Sequence, residues 1–309
     1  MVVVVGIGMV LVASACSSDS EDEGTSSEDS TATSEAATDD GPATSTLEAI
    51  EAAEWGDDVG VEVDEEAGTW TWTSNGIPNH DRPDRYVVPL EGVAVPEDEG
   101  DVQVVDDPTA EQSYELELPL EPELAPVPFA PPAGGVGVII SGATMFNPYE
   151  ADGSTVALNS QITVDGVGFV DTCNGHPTPG GVYHYHGIPV CVTERVDTPG
   201  EHSHIIGVAF DGFPIYGGQG EDGEAPEDLD DCLGHEGPTP EQPEGIYHYH
   251  LSEEEPYSLP CLSGVVDDAL DLGAQSVGVP APGESAAGTG NPALWCSIGA
   301  PAPSDAATV

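Results

Sequence analysis

The stretch Gly181-Val182-Tyr183-His184-Tyr185-His186 returns as Gly245-Ile246-Tyr247-His248-Tyr249-His250, in a chain of 309 residues with only nine tyrosines and nine histidines. Chance is a poor account of two copies. Along a β-strand successive side chains alternate faces, so His184 and His186 share one face and Tyr183 and Tyr185 the other. Each copy therefore presents two imidazoles side by side. The likeness extends outward, because Cys173-Asn174-Gly175-His176 precedes the first copy, Cys232-Leu233-Gly234-His235 precedes the second, and Cys191 and Cys261 follow them. Further upstream, Gly137-Val138-Ile139-Ile140-Ser141-Gly142 is matched by Gly207-Val208-Ala209-Phe210-Asp211-Gly212. The pattern predicts an internally duplicated domain with halves at residues 137–191 and 207–261. A pseudo-twofold between them is expected to bring His184, His186, His248 and His250 to one shared site, with His176, His235 and His204 nearby.

Period-two patterning surrounds this region. Trp70 and Trp72 alternate with Thr69, Thr71 and Thr73, and similar runs recur at Tyr114–Leu120 and Val156–Val164. With 38 glycines and 29 prolines, long helices are interrupted everywhere. The expected fold class is all-β or β-rich, with long Gly/Pro-rich loops, over residues 69–266. Residues 47–68 read as a connecting segment with at most a short helix at Leu47–Trp55, and residues 267–309 as a mostly flexible tail.

The first 16 residues combine a short apolar run with Ala13-Ser14-Ala15-Cys16. A membrane-spanning helix needs about 20 apolar residues, so the run reads as a secretory signal instead. The small residues before Cys16 resemble a lipoprotein signal, with Cys16 as the lipidated first residue, although no Lys or Arg precedes the run. Residues 17–46, almost wholly Ser, Thr, Asp, Glu, Ala and Gly, cannot offset the entropy of ordering and read as a disordered acidic tether. The expectation is a lipid-anchored extracytoplasmic protein at the cell membrane or cell surface, touching the bilayer only through Cys16. Fifty-eight acidic residues against Arg82, Arg85 and Arg195 give a net charge of -55, which excludes nucleic acid and anionic membrane surfaces as partners. Such acidity suits a solvated surface, a saline habitat or the attraction of cations.

Four cysteines bracket the two histidine stretches, and in an exported protein they are expected as disulfides. Repeat symmetry favours Cys173 with Cys191 and Cys232 with Cys261, leaving Cys296 odd. A competing arrangement is a zinc site built from Cys173 with His176 and Cys232 with His235.

Beyond these spacings, the chain resembles the YHYH-domain proteins. The resemblance rests on Ser74 to His80, Cys173 to Pro177, Gly181 to His186, His204 to Gly207, Asp211 to Gly217, Leu229 to Cys232 and Gly245 to His250. It spans about Thr69 to Gly264, implies an exported protein, and hands over no catalytic residues.

The chemistry must come from the histidines, eight of which fall between residues 176 and 250. His-x-His spacing on a strand puts two imidazoles within reach of one metal. The candidate ligands are His176, His184, His186, His204, His235, His248 and His250, with His80, His202 and Asp211 as additional or orienting groups. Imidazole suits a transition metal, copper or zinc. Calcium fits less well, since the acidic loop Glu221–Asp231 lacks EF-hand spacing. Three functions are compatible with the pattern. One is metal capture, storage or sensing. Another is a metal-dependent hydrolase or oxidoreductase, with Asp211, Asp171 or Glu194 as general base. The last is a metal-free envelope or interaction protein in which the histidines form a buried hydrogen-bond network. No Ser-His-Asp order, phosphate-cradling loop or zincin helix motif supports nucleophilic or nucleotide chemistry.

Overall fold

A computed structural model describes residues 44–131, 133–267 and 270. The threonine and tryptophan alternation builds the middle strand of a three-stranded antiparallel sheet, Thr69–Ser74, between Val59–Asp64 and Tyr114–Pro119. Trp70 and Trp72 are fully buried opposite Leu118 and Leu116, while the intervening threonines face outward. Residues 47–68 lead into this layer. Leu47–Ala52 forms a helix that buries Ala49 and Ile50, and Val59–Asp64 is a paired strand.

The second layer is an eight-stranded sheet whose strands, in chain order, are β1 (Gly135–Ile139), β2 (Thr144–Phe146), β3 (Gly175–Pro177), β4 (Tyr183–Tyr185), β5 (Ile205–Ala209), β6 (Pro214–Tyr216), β7 (Gly234–Gly237) and β8 (Ile246–His250). Their spatial order is β3-β4-β2-β1-β5-β6-β8-β7. Exchanging β1 to β4 for β5 to β8 leaves that order unchanged when read from the other end. The registers repeat as well. Gly137 faces Met145 as Gly207 faces Ile215, Tyr185 faces Met145 as Tyr249 faces Ile215, and His176 faces His184 as His235 faces His248.

The centre of this pattern is the antiparallel pair β1/β5, where Val138 faces Val208, flanked by Ile139 opposite Gly207 and Gly137 opposite Ala209. A Cβ on Gly207 would collide with the Val138 carbonyl, and one on Gly137 would lie 2.8 Å from the Val208 carbonyl. Glycine at both positions lets the two strands approach. The same arrangement overturns the expectation of one shared histidine site. Strands β4 and β8 are each second from an edge, with four strands between them. Five inter-strand steps of about 4.8 Å hold them about 24 Å apart.

Another expected strand is largely absent. Within Val156–Val164 only Thr163–Val164 is extended, paired with Val167–Gly168, after a 3-10 turn at Ala157–Asn159. Asp165 and Gly166 both take positive φ, 52° and 79°, the two-residue hairpin geometry that turns the chain back at once. A separate hairpin, Arg85–Pro89 with Val102–Asp106, has a small apolar cluster of its own, Val87, Val102 and Phe169. The two large sheets otherwise share one core that includes Trp70, Trp72, Ile139, Phe210, Tyr185 and Tyr249. Among the described residues no helix is long and apolar enough to cross a membrane. The lipoprotein-type signal, Cys16, the acidic tether to residue 43 and Cys296 lie outside the described residues.

Candidate metal centres

Each histidine cluster starts from a loop of the form Asp-x-Cys-x-Gly-His. In the first, Asp171 Oδ1 accepts from the backbone N–H of Cys173 and Gly175 at 2.8 and 3.2 Å. In the second, Asp230 Oδ1 accepts from Cys232 and Gly234 at 2.8 and 3.0 Å. Each aspartate then takes a tyrosine hydroxyl on its other oxygen, Tyr183 at 2.8 Å and Tyr247 at 2.7 Å. The tyrosines of the tetrapeptide thus fasten the loop, while the histidines on the opposite face meet the histidine that the loop delivers. Disulfides Cys173–Cys191 and Cys232–Cys261 close the same loops. With the sulfurs oxidised, the cysteine-ligated zinc arrangement is removed.

Two clusters result. His176, His184 and His186 form the first; His202, His248 and His250 form the second, and within each the ligand atoms lie within 4.8 Å of one another. His235 joins the second, with its Nε2 3.1 Å from that of His248.

The hydrogen bonds behind the rings fix their chemistry. A carbonyl oxygen only accepts, so a ring nitrogen facing one carries the proton. His184 and His186 donate from Nδ1 to the carbonyls of Val182 at 3.2 Å and Asn147 at 2.8 Å. Their repeats, His248 and His250, donate to Ile246 and Gly217, both at 2.8 Å. His202 Nδ1 donates to Ser203 O at 2.6 Å, and His235 Nδ1 to Asp228 Oδ1 at 2.8 Å. In the neutral ring every corresponding Nε2 is then a bare lone pair. These lone pairs face one another, at 3.0 Å between His184 and His186 and 3.0 Å between His248 and His250. His202 Nε2 is buried without any hydrogen-bond partner.

Protonation does not relieve this crowding. Burial pulls His176 down to about 3, assisted by neighbouring His186, and burial pulls His186 down to about 4. Burial also takes His248 to about 3 and, with the help of His248, His250 to about 2; His184 falls well below its ordinary value for the same reason. The rings are held neutral with converging lone pairs, an arrangement that a cation would satisfy. Four nitrogens at about 2.05 Å from a tetrahedral zinc lie about 3.3 Å apart, so the pairs at 3.0 Å need open by only a few tenths of an ångström. The oxygen acceptors behind the rings match the outer shell that orients metal-binding histidines.

Three expected members stand elsewhere. His204 is two-fifths exposed and bonds Glu241 at 2.8 Å. His202 and His204 lie in a loop, not a strand, so their i, i+2 spacing does not give them a common face. Asp197 anchors that loop by accepting from His204 N–H at 2.8 Å and the Ser203 hydroxyl at 3.0 Å. His80 lies on the tyrosine side, with its Nε2 2.7 Å from the Tyr185 hydroxyl. Asp211 is also there, fully buried, accepting from Tyr249 Oη at 2.5 Å and Gly264 N–H at 2.8 Å. Of the other proposed bases, Asp171 is committed to its loop and Glu194 is exposed.

The acidic group that sequence did not mark is Glu150. It lines a cavity of about 330 Å³ together with His176, His184 and His186. Burial, then Asp152, raises its carboxyl to about 7. The remaining wall is mostly apolar, with Phe146, Phe169 and Pro177, and includes Val93 and Ala94 from the hairpin connection.

No curated protein and no solved structure matches the chain. The family described as YHYH protein matches residues 115–226 and 220–264, a region that contains both loops, both tetrapeptides and every histidine of the two clusters. Through these residues the chain carries a YHYH protein domain over residues 115–264.

Proposed function

We propose that this is an extracytoplasmic, lipid-anchored metalloprotein that binds two transition-metal ions, copper or zinc, one in each histidine cluster. The observation that carries the metal assignment is the set of Nε2 lone pairs, committed by Nδ1 bonds to oxygen acceptors and facing one another at 3.0 Å in buried surroundings. Without an ion, that geometry places like partial charges in contact at a separation that admits no water between them. The net charge of -55 favours accumulation of cations near the surface. The export and anchor assignments are supported by Ala13-Ser14-Ala15-Cys16 after an apolar run and by two disulfides, which suit an oxidising compartment.

Elemental analysis of protein purified without chelator tests the metal assignment. Two equivalents per chain are expected, falling to one in the paired variant His184→Ala, His186→Ala. Absence of stoichiometric metal in native and reconstituted protein would favour the metal-free interaction protein. Labelling with radioactive palmitate tests the anchor, and incorporation should vanish in Cys16→Ser.

A further inference from the structure

Although the sheet repeats its registers, its two centres are not equivalent. The second brings His202, His248 and His250 within ligand distance of one another and sets a fourth imidazole, His235, against His248. A tetrahedral ion held by four nitrogens is coordinatively complete, as in structural sites. The first has three among the described residues, His176, His184 and His186, and these histidines form part of a cavity wall. Three protein ligands with an accessible fourth position characterise catalytic zinc.

We propose that the first centre is catalytic, with the ion on His176, His184 and His186 and Glu150 as proton acceptor, and that it hydrolyses a small uncharged carboxylic ester. The proposal rests on the metal assignment above and extends it to a reaction. Glu150 lines the cavity and its Oε1 has no hydrogen-bond partner, so the carboxyl is not committed to another group through that oxygen. Burial raises the group to about 7, near the value that suits an acid-base catalyst at neutral pH.

The cavity also restricts the substrate. Its volume of about 330 Å³ is at the small end of ligand sites, which run from about 300 to 1,000 Å³. Neither Arg82, Arg85 nor Arg195 lines it, and the chain has no lysine. Phosphate and sulfate esters therefore find no basic side chain beside the ion to offset their remaining charge, whereas an uncharged ester with apolar substituents fits Phe146, Phe169 and Pro177.

The ion supplies Lewis acidity toward the ester carbonyl. In the reaction the water oxygen bonds to the carbonyl carbon while Glu150 removes a proton from that water. The bond from carbonyl carbon to alkoxy oxygen then breaks with its electron pair leaving on oxygen, and Glu150 returns the proton to it. One ester and one water give one carboxylic acid and one alcohol, with no change in oxidation state.

The test uses the full chain reconstituted with cobalt(II), whose visible absorption reports coordination, and zinc-loaded protein acting on p-nitrophenyl butyrate. Two cobalt ions should bind. Azide should perturb the part of the spectrum that is lost in His184→Ala, His186→Ala, leaving the remainder unaltered. Glu150→Gln should retain both ions and the azide response but lower kcat by about 10²–10⁴, the usual contribution of general acid-base catalysis, with little change in KM. Two bound ions with neither one responding to azide would overturn the proposal and leave the metal assignment intact. So would Glu150→Gln turning over at the parent rate. Failure to bind cobalt at all would overturn the metal assignment and this proposal together.

Discussion

Acid should destabilise the metal-free protein steeply, through the same imidazoles that are proposed to hold metal. Folded-state values are about 3 for His176, 4 for His186, 3 for His248 and 2 for His250, each lowered first by burial from 6.5. Between pH 6.5 and 4.5 the unfolded chain takes up these protons and the folded chain does not. Stability therefore rises with pH throughout the window and is lost as pH falls, at up to about 1.4 kcal/mol per pH unit for each ring. Integrated over the window this is about 2 kcal/mol per histidine, or about 8 kcal/mol for four.

Carboxyls raised by burial, Glu150, Asp211 and Asp197, act in the opposite sense, the first two most strongly. Burial raises Glu150 to about 7 and Asp211 to about 6, so the folded state binds their protons first. Their combined gain over the same window is about 4 kcal/mol, leaving the histidines dominant by about 4 kcal/mol. A typical domain has only about 5–15 kcal/mol to lose. Urea denaturation of chelator-treated protein would measure the loss. In 1 M salt the Debye length is about 3 Å, which suppresses the relief of acidic self-repulsion that also accompanies acidification. The paired variant His248→Asn, His250→Asn should reduce the pH dependence by about 4 kcal/mol, irrespective of its stability at pH 6.5. A flat pH profile in the parent, or one unchanged by the variant, would refute neutral buried imidazoles in the second cluster.

Other perturbations have defined outcomes. Cys232→Ser, Cys261→Ser removes a crosslink with sequence separation 29 and should cost about 3–4 kcal/mol in the chain-entropy description, visible as a lower urea midpoint. At Gly234 an added Cβ would collide with the Tyr247 hydroxyl and ring, so Gly234→Ala should displace that ring from Asp230 and cost about 1–3 kcal/mol, read by thermal denaturation. His204→Ala should leave two metal ions per chain by elemental analysis, since His204 faces Glu241 and solvent.

Much of the site was legible because strand alternation is local. The period of two separates Tyr183 and Tyr185 from His184 and His186, and the repeated spacing around Cys173, Cys191, Cys232 and Cys261 carries the disulfide pairing. The position of the repeat axis was not local. It lies at β1/β5, so symmetry sends β4 and β8 toward opposite sides of the sheet instead of together. Ring tautomers were equally hidden, because Asn147 and Gly217 reach their histidines from 39 and 33 residues away. His202 and His204 show the limit of a spacing rule applied without its element. Once Asp197 pins their loop, one ring turns into the second cluster and the other out. Glu150 carries no motif, and only the burial of its loop beside the first cluster gives it chemical interest.

The most direct test of the metal assignment combines elemental stoichiometry with X-ray absorption on zinc-reconstituted protein. Two zinc ions per chain are predicted, each with an imidazole-nitrogen shell at about 2.0–2.1 Å and no sulfur ligand. Failure to retain zinc or copper stoichiometrically, or a shell containing sulfur, would contradict the assignment of these clusters as histidine metal centres.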